Sequence, residues 1–94
     1  MTFQGESDLV VLIGRYANGR YALRLITSRG EPLATVSVNM PDVAIAADHV
    51  ILQDSGDFEG MVNWLVGRGV ITHPLYVVLT DDGTRYPVCA LKSV

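Results

Sequence analysis

The chain has 94 residues, of which 49% are hydrophobic; this is enough for one small domain with a single core and argues against intrinsic disorder. Its net charge of −3 disfavours nonspecific binding to DNA, which requires a basic surface, and is too small for a strongly acidic mimic of DNA. One cysteine, Cys89, excludes an internal disulfide framework, and no apolar run is longer than that of Leu9 to Ile13, which is far below the roughly 20 residues that span a bilayer.

The chain begins with a stretch that we expect to be a short flexible tail, residues 1–7, followed by an apolar strand. The strand from Leu9 to Tyr16 is rich in β-branched residues and is apolar at both alternating sets of positions. A strand with two apolar faces is typical of a central or doubly covered position in a sheet. The sequence therefore predicts that this first strand has neighbours or cover on both sides.

Two turn signals place the next two strands antiparallel to the first. Asn18 and Gly19 predict a type I′ hairpin turn, in which both residues take positive φ. The following strand, residues 20–27, alternates regularly between apolar and polar positions. A second turn at residues 28–31 leads to a third strand at residues 33–40, which Pro41 ends. Three consecutive antiparallel strands form a meander.

The second half of the chain predicts one helix among short strands. An irregular crossing at residues 42–47 leads to a strand at residues 49–53. The helix is predicted over residues 57–67, with Ser55 or Asp57 capping its start.

Two further strands, residues 75–80 and 85–91, flank a hairpin turn and close the chain. Pro87 removes a hydrogen-bond donor from the last strand, which favours an edge position for it. Together the elements predict a single α+β domain over residues 1–94, with a mostly antiparallel sheet of about six strands and one helix packed on it.

No motif in the sequence identifies a reaction, a metal site or a cofactor site. The zinc-ligand candidates are His49, His73 and Cys89, and a structural zinc site requires four nitrogen or sulfur ligands. A calcium loop starting at Asp54 fails because Gly56 and a phenylalanine stand where oxygen ligands are needed. Cys89 lies in an apolar segment, where cysteine usually behaves as a small buried hydrophobe. We therefore expect a protein that is not an enzyme, with no metal and no cofactor.

The charged residues are segregated along the chain. Four of the seven basic residues fall between positions 15 and 29, whereas residues 31–67 contain six acids and no Lys or Arg. This pattern predicts one basic and one acidic surface, which is typical of a domain that docks on a charged macromolecule. The candidate basic patch consists of Arg15, Arg20, Arg24 and Arg29. The candidate acidic surface consists of Asp42, Asp48, Asp54, Asp57, Glu59 and Trp64.

Both surfaces have a purely structural alternative. Arg20 and Arg24 share the outer face of one strand, where they can simply be solvated, and few aromatic residues lie nearby to stack on bases. Asp57 and Glu59 suit the start of a helix. Trp64 lies at the edge of the apolar stripe of the helix, so it either completes the core or serves as an exposed anchor at an interface.

Several segments resemble a family of small uncharacterised bacterial proteins carried by phages, plasmids and conjugative elements. The resemblance rests on Asn-Gly-Arg-x-Ala-Leu at residues 18–23, on Gly-Glu-Pro-x-Ala-Thr-x-Ser-Val-Asn-x-Pro at residues 30–41, and on shorter matches at residues 59–61 and 87–91. It covers the chain from about residue 15 to residue 91. The resemblance implies an accessory role directed at a host defence or host factor, and it implies no catalytic residue.

The resemblance and the charge pattern lead to two functional hypotheses. In the first, the protein is a cytoplasmic inhibitor that binds a host protein. Its concrete version is an anti-CRISPR protein whose acidic surface blocks a basic nucleic-acid-binding surface of a CRISPR–Cas effector subunit. In the alternative, the arginine face serves a nucleic-acid-associated accessory role, although the net charge disfavours direct binding. A homodimer, formed through the edge of strand 49–53 or 85–91 or through Trp64, is compatible with both, and neither involves a membrane.

Overall fold

A computed structural model describes Phe3 and residues 5–92 of the chain. Over these residues it confirms an α+β fold, with seven strands, one α-helix and a single 3₁₀ turn before the helix. The strands are β1 (Leu9–Arg15), β2 (Tyr21–Thr27), β3 (Pro32–Thr35), β4 (Ser37–Val38), β5 (His49–Leu52), β6 (Tyr76–Leu79) and β7 (Arg85–Ala90); the 3₁₀ turn is Gly56–Phe58 and the helix is α1 (Met61–Gly67).

The strands form two antiparallel sheets instead of the one that the sequence predicts. The first sheet has the order β1-β2-β3 and the second has the order β4-β5-β7-β6. The chain passes between them at Val36, whose N–H donates to the Leu23 carbonyl at 2.9 Å and whose carbonyl accepts from the Gln53 N–H at 3.0 Å. The predicted third strand is therefore two strands, and both Val36 and Ser37 are buried at the corner.

The three hairpins share one loop design. Each has a three-residue loop, and the loops cover residues 17–19, 28–30 and 81–83. Each loop ends in a glycine whose N–H donates to the last carbonyl before the loop. Those glycines have φ of 86°, 87° and 84°, a left-handed conformation that residues with a Cβ rarely adopt. The predicted two-residue turn at Asn18 and Gly19 is wrong because Tyr16 bonds to Arg20, which brings Ala17 into the loop.

Three strands occupy positions that differ from the prediction. β1 is an outer strand of the first sheet, although both of its faces are apolar. β7 lies between β5 and β6, although it contains Pro87, and β5 is also an inner strand. The ladder between β5 and β7 ends at the Ile51–Val88 pair, one residue before Pro87. The proline is therefore accommodated where β7 has no further pairing with β5.

One hydrophobic core unites both sheets and α1. It contains Leu23 and Leu25 of β2, buried residues of β5 and β7, and Met61, Val62 and Leu65 of the helix. Phe3 is also buried, and its ring centroid lies 5.5 Å from that of Phe58. Phe3 and Glu6, which lie in the stretch expected to be a flexible tail, exchange two backbone hydrogen bonds. Residues 1, 2 and 4 of that tail lie outside the described residues.

The helix begins four residues later than predicted. Gly60, with φ of 84°, is its N-cap, and Asp57 lies in the preceding 3₁₀ turn. Neither Ser55 nor Gly60 makes a side-chain cap hydrogen bond. Instead, the Asp54 carboxylate accepts the Val62 N–H at 3.1 Å, which satisfies a donor of the first helical turn.

Candidate protein-interaction surfaces

The arginines of the candidate basic patch mostly hold the fold together. Arg20 donates to the carbonyl oxygens of Met40 and Val43, both at 2.6 Å, and so fastens the irregular crossing to β2. Arg15 lies over the Tyr21 ring, 4.3 Å from its centroid, and donates to the Tyr21 hydroxyl. The other two arginines differ from each other: Arg29 pairs with Glu6 and Glu31, and Arg24 is exposed.

The residues of the candidate acidic surface are spread over separate elements. Asp48 precedes β5 and Asp54 follows it, so the two carboxylates lie at opposite ends of that strand. Asp42 is exposed in the irregular crossing, and Asp57 and Glu59 are exposed just before α1. Asp57 and Glu59 are therefore the free acids nearest to the helix, whereas Asp54 is engaged with the helix itself.

Trp64 lies at the edge of the core. Its side chain is half-buried and packs against the core cluster, and the Arg68 guanidinium lies 4.8 Å from the centroid of its ring. A cation placed over an indole ring in this way is a favourable contact. The guanidinium therefore covers part of one face of the Trp64 ring.

The structure places Cys89 and His49 in different surroundings. Cys89 is fully buried. Burial, followed by the nearby Asp54 charge, raises the pKa of its thiol to about 11, so the thiol stays protonated at neutral pH. His49 Nδ1 lies 3.5 Å from the Tyr76 hydroxyl and its Nε2 lies 3.8 Å from Asp48. Within residues 5–92 and Phe3, no three His, Cys, Asp or Glu side chains are grouped to hold a metal ion.

A cleft of about 370 Å³ opens beside Arg15 and Asp48, and its other lining residues are Tyr21, Ala47 and Leu91. The Arg15 guanidinium in this cleft already donates to Tyr21 and to the Gly19 carbonyl. Both terminal nitrogens of this guanidinium are therefore already engaged within the chain. The cleft is therefore a weaker candidate than the exposed apolar strands.

The most prominent apolar surface is β6 with the residue before it, which we name the β6 edge (residues 75–79). Leu75, Tyr76, Val77 and Leu79 are 52%, 41%, 49% and 65% exposed. β6 is the outer strand of the second sheet and pairs only with β7 there. The sequence predicts a strand here, but it predicts the edge position for strands 49–53 and 85–91 instead.

The hydrogen-bonding groups of the β6 edge follow from its register. The Thr80 N–H donates to the Thr84 carbonyl at the end of the β6–β7 hairpin. Bonded and non-bonded pairs alternate in an antiparallel ladder, so the N–H and C=O groups of Val77 and Leu79 point away from β7. This edge thus offers both apolar side chains and free backbone groups.

Two carboxylates stand at one end of the β6 edge. Asp81 and Asp82 are exposed in the loop that follows β6. Hydrogen bonds from the Thr80 hydroxyl and then from the Thr84 N–H lower the pKa of Asp82, which keeps it ionised. The β6 edge therefore combines an apolar strand with a negatively charged end.

Comparison with known proteins adds no relative. No protein-family model, no curated protein and no solved structure matches this chain. Among the described residues, no helix has the length and apolarity needed to cross a membrane.

Proposed function

We propose that this protein is a noncatalytic binding domain that docks on another protein through the β6 edge. The observation that carries this proposal is the cluster of four large apolar side chains, 41–65% exposed, on the outer strand β6 and the residue before it. Proteins usually protect such edges with Lys, Pro, bulges or short charged strands. Residues 75–79 contain no charge and no proline. An unprotected apolar strand is typical of a surface that a partner covers.

The binding mode is the addition of a strand. An extended segment of the partner pairs with the free N–H and C=O groups of Val77 and Leu79. Side chains of Val77 and Leu79 contact the partner on one face of the extended sheet, and Tyr76 contacts it on the other. Asp81 and Asp82 favour a partner with basic residues beside its own strand.

The partner is a host protein, and the resemblance to proteins of mobile elements supports this part of the proposal. In the anti-CRISPR version, the β6 edge binds beside a basic nucleic-acid-binding surface of an effector subunit and blocks it. Asp57 and Glu59, two exposed residues of the candidate acidic surface, add negative charge. The nucleic-acid alternative has no comparable support, because Arg20 and Arg29 are engaged in contacts within the chain.

Capture from lysates of bacteria with active CRISPR–Cas systems tests the proposal. Three tagged proteins are compared: the wild type, Leu79→Lys on the β6 edge, and Leu12→Lys as a matched control. Leu12 is 47% exposed and apolar but lies on the first sheet. We expect a stoichiometric protein partner with the wild type and with Leu12→Lys, and its loss with Leu79→Lys.

Three outcomes contradict the proposal. A partner that Leu79→Lys still captures would place binding elsewhere on the domain. Recovery of nucleic acid alone, released when the salt concentration is raised, would favour the arginine face instead. Recovery of no protein from such hosts contradicts a host-protein target.

A further inference from the structure

β1 is a second exposed apolar strand, and it lies in the other sheet. It pairs with β2 along all seven of its residues, and its other side is the outer side of the first sheet. Val10, Leu12 and Ile13 are 42%, 47% and 39% exposed. The two apolar faces of this strand predict a central position, yet a single chain leaves it at an edge. This mismatch points to a neighbouring strand from outside the chain.

The register of the β1–β2 hairpin shows which backbone groups are open. The Tyr16 N–H donates to the Arg20 carbonyl, so even-numbered positions of this strand bond to β2. Because bonded pairs alternate, the N–H and C=O groups of Leu9, Val11 and Ile13 point to the open side. These groups are spaced to form a regular antiparallel ladder with another strand.

We propose that β1 pairs antiparallel with β1 of a second copy of this chain, about a two-fold axis at Val11. A two-fold axis perpendicular to the sheet keeps the faces of both copies aligned, so that residues on the same face lie opposite each other. Val11 then faces Val11 of the second copy, Val10 faces its Leu12, and Leu9 faces its Ile13. Every opposed pair from Leu9 to Ile13 is apolar, on both faces of the sheet.

The segment favours a second copy because it is complementary to itself in this register. Moving the axis to Leu12 places Val10 opposite Gly14 and Leu9 opposite Arg15, which loses apolar contact at both ends. The open groups of Leu9, Val11 and Ile13 find partners in either register, so the side chains decide in favour of the axis at Val11.

The charges at the ends of the ladder agree with the same register. Asp8 lies opposite Gly14 of the second copy, and Arg15 lies one pair further out with its side chain on the other face of the sheet. No like charges are opposed. The two three-stranded sheets then join into one continuous sheet with the two β1 strands at its centre.

This dimer goes beyond the proposed function and does not depend on it. It uses the first sheet, whereas the β6 edge belongs to the second sheet and stays open. The dimer therefore presents two host-binding edges related by the two-fold axis.

Sedimentation velocity and light scattering of the full chain over a range of micromolar concentrations test the pairing. The wild type is expected to show the dimer mass. Leu12→Lys and Val10→Glu each place a charge opposite an apolar residue, so each variant alone is expected to show the monomer mass. Both positions are exposed, and circular dichroism of each variant checks that the fold is kept.

Mixing the two variants tests the register. In a mixed pair, the substituted position 10 of one copy faces the substituted position 12 of the other, which forms an ion pair, while the remaining Val10–Leu12 contact is unchanged. We expect the equimolar mixture to recover the dimer mass. Leu79→Lys, a charge added to the β6 edge, is the matched control and should stay dimeric.

Each contrary result overturns the pairing. A wild type that is monomeric throughout the range, or single variants that remain dimeric, excludes a β1 interface. A mixture that stays monomeric excludes the axis at Val11. Loss of the dimer with Leu79→Lys alone would move self-association to the β6 edge. Host-protein capture by Leu12→Lys is measured separately, so failure of the dimer and failure of the proposed function are distinguishable.

Discussion

The guanidinium of Arg20 donates a 2.6 Å hydrogen bond to the carbonyl oxygen of Val43, a residue 23 positions further along the chain. A second bond of equal length reaches the Met40 carbonyl. The planar fork of arginine can serve two acceptors at once, which an ammonium group on a flexible stem does less well. Arg20 therefore holds the irregular crossing against β2, although its position in the sequence suggests a binding residue.

Replacing Arg20 by Lys is expected to reduce the free energy of unfolding by about 1–3 kcal/mol, because charge-assisted bonds to one or both carbonyls are lost. Urea denaturation measures this change. Arg24→Lys is the control, since Arg24 is exposed on the same face, and it should change stability by less than about 0.5 kcal/mol. Equal effects at the two positions would show that the Arg20 bonds contribute nothing to stability.

Ser37→Ala is expected to destabilise the domain by about 1–3 kcal/mol, because it leaves a buried donor without a partner. The buried Ser37 hydroxyl accepts the Leu23 N–H at 3.0 Å and lies 2.7 Å from the Tyr16 hydroxyl. Thermal and urea unfolding measure the loss. Tyr16→Phe removes only the second contact, so it should cost less than Ser37→Ala; the reverse order would contradict this assignment.

Asp54→Ala is expected to lower stability by about 1 kcal/mol, the usual effect of removing a side-chain cap. Its carboxylate accepts the Val62 N–H in the first turn of α1. Asp57→Ala is the matched control, because Asp57 is exposed and lies in the 3₁₀ turn. Urea denaturation measures both losses. A larger loss of stability from Asp57→Ala would show that Asp57, as the sequence predicts, caps the helix.

The Cys89 thiol makes stability depend on pH in the alkaline range. Its pKa is raised from 9.0 to about 11, so the unfolded chain releases this proton at a lower pH than the folded chain does. The stabilisation is therefore complete below pH 9 and is lost as the pH rises toward 11. The difference in unfolding free energy between the wild type and Cys89→Ala isolates this effect from other titrating groups. The wild type should lose stability relative to Cys89→Ala over this interval. A constant difference between the two unfolding free energies would contradict the raised pKa.

Local patterns predict most of the elements, because they depend on residues that are near in sequence. The apolar stripe of α1 and the strands β1 and β2 lie close to their expected ranges. The hairpin at Gly19 is also where the sequence predicts it. The length of its loop is not, because that length depends on the pairing of Tyr16 with Arg20 across the strands.

The remaining differences come from contacts between distant parts of the chain. The alternation of residues 33–40 shows no break, and the corner at Val36 exists because Leu23 and Gln53 bind its two backbone groups. Pro87 signals an edge only if both neighbours of its strand continue past it, and β5 does not. The β6 edge is visible only once the order of the strands is known. A run such as residues 75–79 is equally compatible with the middle of a sheet.

The corner at Val36 has a consequence for how the domain opens. The N–H of Val36 bonds to the first sheet and its C=O to the second, and both sheets share one hydrophobic core. The two sheets should therefore unfold as one cooperative unit, without a half-folded intermediate. The slowest amide hydrogen exchange is expected at Val36 and Gln53, at the rate set by global unfolding.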